Sequence, residues 1–255
     1  MKKILFRILR RALILAFWIA VWDVAVLVVG KPLLLPAPIT VFKRLFELMQ
    51  TKEFYLITVN SLWNILRGIL IAVGMGCILA ALTAKISLIR DIIQLPMTVI
   101  KATPVASFII LALIFIGSAK VPTFITILIV IPVIWTNLDE GYRRIDPQLV
   151  EMATVFRLSP WKRLRLLTLP SLKPYFLSAC RTSIGLAWKA GVAAEIIAMP
   201  RKSIGTMIGD AKQYILTEDM FAWTLTVILL SLLIESIFSF VFRTISKKQR
   251  KAEVI

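Results

Sequence analysis

Arg181, Trp188 and Glu195 recur at intervals of seven residues in an otherwise apolar stretch, with Gly185 and Gly191 near the same face. On a helix of 3.6 residues per turn such a stripe drifts only about 20° per step, so the three side chains address one region. Charged groups at membrane depth are costly and usually face a bundle interior or an aqueous path. Arg181, Trp188, Gly191 and Glu195 are therefore candidates for lining a solute pathway. The plainer alternative places Arg181 near one membrane interface and Glu195 near the other, each reaching water. Arg67 and Glu235 are candidates for a structural ion pair between spans, and Asp23, Lys101 and Lys189 have no assigned role. Catalysis has no comparable support. The chain contains no His, which excludes a Ser/His/Asp arrangement, and its serines have no evident activating partner. No G-x-x-x-x-G-K-[ST] occurs, so nothing cradles nucleotide phosphates in that manner. Cys77 and Cys180 fall in apolar segments and no pair has metal-ligand spacing, so disulfides and transition metals are not expected. No catalytic, cofactor-binding or metal-binding residue is assigned, and the chain reads as a non-enzyme.

The elements that position these residues follow from composition. Of 255 residues, 59% are apolar, and the mean hydropathy of +0.86 is far above that of a soluble domain. An all-α, polytopic membrane protein with about six transmembrane helices is expected, as one domain over 1–255. The first span runs from about Ala12 to Val29 and reads as uncleaved, since it is longer than a signal-peptide core and no A-x-A site follows. A short amphipathic stretch, Val41 to Met49, lies along the surface. The second span, about Leu56 to Ala84, carries Gly68, Ala72, Gly76 and Ala80 four residues apart, which lets another helix approach closely. The third, about Ile92 to Ile116, contains Pro96 and Pro104 and should be kinked. The fourth, fifth and sixth run from Val121 to Leu138, about Tyr175 to Met199, and Phe221 to Phe242.

A net charge of +17 would suggest nucleic acid in a soluble chain, but here the cations lie between apolar spans, where they orient the protein. With the N-terminus inside, the cytoplasmic segments hold nineteen Lys/Arg, including the KKQRK tail, and the external segments eight. That bias puts both termini, and the loop of about 139–174, in the cytoplasm. The external pieces are too small to be a receptor, so high-affinity capture of a solute falls to another protein.

The 139–174 loop carries two helix starts of one design. Asp146-Pro147 and Ser159-Pro160 each set a capping side chain ahead of a proline at the first helical position. The first helix runs from Pro147 to about Phe156. The second runs from Pro160 to about Leu167, ending before Pro170, with Ser171 available to cap the next helix. An ordinary amphipathic pair at the membrane surface shares the basic composition. The order Glu151-Met152-Ala153, then Leu167-Thr168-Leu169-Pro170, at ungapped spacing, resembles the cytoplasmic E-A-A loop of ABC-importer permeases. Met152 stands where that family has Ala, and Arg157 where it has Gly, a position that calls for φ > 0 at the bend. The segment Leu35-Pro36-Ala37-Pro38 and the run Gly185 to Ala198 further resemble the nitrate, sulfonate and taurine permeases.

The resemblance implies the type I importer transmembrane fold, with 139–174 as a coupling helix pair that docks into an ATPase. The coupling residues it marks are Glu151, Met152, Ala153, Arg157, Leu167, Leu169 and Pro170. It implies two permease copies, as a homodimer, two ABC ATPase subunits that carry the ATP and Mg, and an extracytoplasmic solute-binding protein. The setting is a bacterial or archaeal inner membrane, with no nucleic acid partner. The implied cargo is a small anion such as a sulfonate, taurine or nitrate; a thiamine-precursor pyrimidine or riboflavin is the alternative within the class. Outside it stand an ATPase-independent secondary transporter, which calls for paired broken helices or inverted repeats, and a membrane scaffold, which needs no polar stripe.

Overall fold

The computed structural model describes the backbone of residues 2–252 and the side chains of residue 6 and residues 9–240. The N-terminal and KKQRK cations that fall outside that side-chain set, Lys2, Lys3, Arg7 and those of the tail, lie outside the described residues. Every regular element among the described residues is helical. The first, α1 (Lys2–Val29), ends at Gly30, whose φ of +61° favours glycine, and α2 (Pro38–Met49) follows as a short amphipathic helix. Val41 and Leu45 are buried on its inner face, while Ile39, Phe42 and Phe46 are exposed.

Thr51 caps α3 (Lys52–Lys85) by accepting from the Phe54 N–H. The four-residue spacing of small residues on α3 has the expected consequence. A Cβ on Gly68 would lie 2.7 Å from the Thr126 Cβ, and one on Gly76 would lie 2.8 Å from the Ile134 Cβ, both on α6 (Val121–Arg143). Ala72 between them is fully buried. The two backbones therefore approach as closely as the missing side chains permit.

Between α3 and α6 the expected single span is broken. The helices α4 (Ser87–Ala102) and α5 (Val105–Ile116) meet at an angle of 105°. Pro96 is accommodated inside α4. Pro104 instead drives Thr103 out of the helical region, to φ −83° and ψ 134°, because the proline ring clashes with a helical residue before it. The Arg90 guanidinium donates to the Asp139 carboxylate at 2.8 Å and Lys101 donates to the Thr136 hydroxyl at 2.6 Å, so both ends of α4 are tied to α6.

After the loop come α7 (Pro147–Val155), α8 (Pro160–Arg163), a π turn (Leu164–Thr168), the long α9 (Leu169–Ala198), α10 (Ile204–Gln213) and α11 (Thr217–Ala252). By length and apolarity four helices among the described residues can cross a membrane: Leu9–Val29, α3, α6 and Thr217–Phe240; the bent α4–α5 pair makes a fifth if it is one span. The expected fifth span, α9, is not among them. Its Arg181, Lys189 and Glu195 lower its apolarity, yet it is packed centrally, against α3, α5, α6, α10 and α11. Gly141 of α6 makes room for Tyr175 of α9, whose Cγ would lie 2.6 Å from an added Cβ.

At the other end Arg44 of α2 is hydrogen-bonded to Asp219 of α11, with Nη2 to Oδ2 at 3.2 Å. That bond, outweighing partial burial, holds the Arg44 guanidinium above its ordinary pKa. Phe54 stacks on Trp223 nearby, with ring centroids 5.1 Å apart, so α2, α3 and α11 share one corner.

Candidate functional site

The loop between α6 and α9 forms as its caps require. The Asp146 carboxylate accepts from the Gln148 N–H at 2.9 Å, and the Ser159 hydroxyl accepts from the Lys162 N–H at 3.4 Å. Arg157 takes φ +47°, the left-handed conformation that the E-A-A pattern gives to glycine. Its N–H donates to the Thr154 carbonyl and the Leu158 N–H to the Ala153 carbonyl, both at 3.0 Å. This pairing of the first two residues past the helix end with carbonyls two and three from it is a Schellman cap. The departure from glycine thus changes the side chain and keeps the bend. A non-glycine residue there carries a steric cost of about 1–2 kcal/mol, part of which Gly returns through the entropy of the unfolded chain. Arg157→Gly should accordingly stabilise the α7 end by about 1 kcal/mol, slowing hydrogen exchange at the Leu158 amide about fivefold. Unchanged exchange there would mean that Arg157 is not strained.

The expected stop before Pro170 does not occur. The chain passes from α8 through the π turn straight into α9, with the Leu169 N–H reaching back to the Leu164 carbonyl. The wide turn resets the hydrogen-bond register, so Pro170 falls in the first turn of α9, where its missing N–H leaves no bond unmade. Ser171 is accordingly inside a helix and not a cap.

Within the loop, burial separates two faces. Ala153 and Leu167 are turned inward, at 3% and 8% exposure, whereas Glu151, Arg157 and Pro170 are exposed. Leu149, Met152, Val155, Phe156, Trp161 and Leu169 are large apolar side chains left open, Phe156 at 71%. An outward apolar surface of this kind, carried on two short capped helices, has the form of a docking surface. The E-A-A pattern marks Ala153, but the side chains that present themselves are its neighbours.

The seven-residue stripe faces elsewhere than expected. Trp188 is buried and donates its indole N–H to the Val227 carbonyl of α11 at 3.2 Å. A Cβ on Gly191 would meet Ile65 at 2.6 Å and the Thr126 hydroxyl at 3.2 Å. Glu195 has no accessible surface; its Oε2 accepts from the Ser61 hydroxyl at 2.9 Å and from the Gly205 N–H at 3.1 Å. Trp188, Gly191 and Glu195 are therefore buried in the subunit's own core. Heptad spacing puts them on one face, and that face is the one covered by α3, α6, α10 and α11. Arg181, the outer member, is exposed and opens onto a cleft with Glu235. Arg67 is exposed as well, and no ion pair joins it to Glu235 among the described residues.

Glu195 is instead a latch. The Ser61 hydroxyl that donates to it accepts from the Ile204 N–H at 2.9 Å, so one carboxylate and one hydroxyl satisfy the first amides of α10 and join it to α3 and α9. The carboxylate also sits at the positive end of the α10 dipole. Its other oxygen, Oε1, has no hydrogen-bond partner. Ser203 caps α10, accepting from the Thr206 N–H at 3.2 Å. The sequence carries the signal for this helix, since Ser203 is followed by Ile204, Ile208 and Ala211 at helical spacing. Glu195→Ala strands two buried donors and leaves a void, at a cost of about 2–3 kcal/mol. Glu195→Gln keeps an acceptor oxygen and should lose less than half as much; equal losses in thermal denaturation of the two variants would rule out the latch.

The family described as "Binding-protein-dependent transport system inner membrane component" matches residues 68–251, which include α6, the loop and α9. The chain is 25% identical over 213 residues to the putative aliphatic sulfonates transport permease protein SsuC of Bacillus subtilis (strain 168), covering 83% of this chain and 75% of that one. It is 25% identical over 231 residues to the taurine transport system permease protein TauC of Escherichia coli (strain K12), covering 88% and 82%. Its fold matches a chain of the crystal structure of an amino acid ABC transporter with histidines, with a TM-score of 0.63 and 17% identity over 78% of this chain and 97% of that one. With the capped loop, the apolar helices and a family match over most of its length, the chain belongs to the binding-protein-dependent inner membrane components, the permease subunits of ABC importers.

Proposed function

We propose that this permease imports a small anion-bearing solute, of the sulfonate, taurine or nitrate class, as two copies of the chain working with two ABC ATPase subunits. ATP and Mg2+ are bound by the ATPases, and a separate extracytoplasmic binding protein delivers the solute. Both termini and the α7–α8 loop face the cytoplasm, in keeping with the distribution of Lys and Arg. The observation that carries the reading is the loop itself. Two capped short helices around a Schellman bend hold Met152, Val155 and Phe156 outward while Ala153 anchors them from within. A helix laid into a partner's groove is read through such apolar anchors. Movement of the ATPases would be passed through the loop into α9, since the π turn joins them without a break. The solute class is supported by the names of the relatives. The test is reconstitution in liposomes with the ATPase and binding protein. Accumulation of a sulfonate, taurine or nitrate against its gradient is expected only with ATP and all three proteins. Equal uptake by the permease alone would contradict the proposal.

A further inference from the structure

A cleft of about 760 Å3 lies between α9 and α11, within the size range of about 300–1,000 Å3 typical of small-molecule sites. Arg181 and Thr182 of α9 line one side, and Glu235, Ser236 and Ser239 of α11 the other. The two charges are neighbours: the Glu235 Oε1 lies 3.5 Å from the place a Cβ on Gly185 would take, and Gly185 is one helical turn from Arg181. Yet no ion pair joins them among the described residues. Arg181 lies about 26 Å from the end of α9 at Ala198, and Glu235 about 27 Å from the start of α11 at Thr217, counting 1.5 Å per residue. Those two ends are joined by α10, so the cleft lies towards the ends of α9 and α11 far from it.

Opposite charges that line one cleft without an ion pair between them, with three hydroxyls on the same walls, match a ligand that carries both signs. We propose that this cleft binds a small zwitterion, its anionic group on Arg181 and its ammonium on Glu235. Arginine presents a planar fork suited to a sulfonate, carboxylate or phosphate, and the serine hydroxyls accept or donate as the ligand requires. The inference deepens the import reading where the ligand is the cargo, since a taurine-like solute has this chemistry. A phosphatidylethanolamine headgroup has it too.

The experiment uses the assembled importer in phosphatidylglycerol nanodiscs, without nucleotide or binding protein, titrated with labelled taurine and with ethanesulfonate, which lacks the ammonium. Taurine should bind saturably and more tightly than ethanesulfonate, and Arg181→Gln and Glu235→Gln should each weaken it about tenfold or more. The exchanged pair R181E/E235R should recover binding, which excludes misfolding as the cause of the single losses. In a second arm the importer is purified from membranes containing phosphatidylethanolamine. Retention of that lipid by the wild type alone, without taurine binding, would support the site and identify the headgroup as its ligand. Equal binding of taurine and ethanesulfonate with no effect of Glu235→Gln would overturn the proposal, as would retention of neither ligand. An ATPase that still docks while no zwitterion binds overturns this inference alone, whereas ATP-independent uptake overturns the import reading.

Discussion

Phe156→Asp should abolish co-purification of the ATPase while leaving the permease folded and assembled. The side chain is 71% exposed, so the substitution disturbs nothing inside the subunit. In a docked complex the same position would place an unpaired carboxylate in a desolvated groove and remove an aromatic anchor. Truncating such an anchor costs about 2–4 kcal/mol, and a buried unpaired charge adds to that, so affinity should fall at least about a hundredfold. ATP-driven uptake should disappear with it. Val155→Asp, at 75% exposure, should behave alike. Ala153→Asp is a less clean probe, because Ala153 is enclosed by its own subunit and a charge there disturbs the seating of the loop. Recovery of the ATPase at wild-type yield with Phe156→Asp would show that the outward face of α7 is not the contact.

Gly205→Ala should have the largest effect on folding. Its added Cβ would lie 2.3 Å from the Glu195 Cβ and 2.5 Å from the Ile196 amide nitrogen, both fixed parts of α9. Relief requires α10 to move off α9, which breaks the Gly205 N–H bond to Glu195 and the Ile204 N–H bond to Ser61. Overpacking of this kind, with two buried bonds lost, should cost about 3 kcal/mol or more. Gly74→Ala is the control. Nothing lies within 4 Å of its added Cβ, so an alanine in mid-helix should stabilise α3 by about 0.5–1 kcal/mol. Thermal denaturation in detergent reads both, and a Gly205→Ala variant as stable as the wild type would mean that α10 does not seat against α9 as described.

Local chemistry was legible in the sequence and three-dimensional direction was not. Asp146 and Ser159 were readable as caps because capping depends on a side chain and the two or three amides after it. Gly68, Ala72 and Gly76 were readable as a contact stripe because small residues four apart have few other uses in a membrane helix. The spacing of Arg181, Trp188 and Glu195 also fixed a common face, but periodicity carries no sign, and whether that face looks at a solute or at a neighbour depends on α3 and α10. Ser61, the partner that explains Glu195, lies 134 positions away. The break at Thr103-Pro104 was visible as a proline, yet its 105° angle depends on how α4 is held to α6 through Arg90 and Lys101. At Arg157 the residue type does not announce the bend, which is held by the cap's two backbone bonds against the strain of a side chain in the left-handed region.

Hydrogen exchange across residues 147–163, with and without the ATPase, tests the coupling role of the loop most directly. These two short helices expose their outer faces and should exchange readily in the free permease. Strong added protection of the α7 and α8 amides on ATPase binding, lost with Phe156→Asp, is the predicted result. Protection that appears only elsewhere on the permease, with α7 and α8 unchanged, would contradict the account.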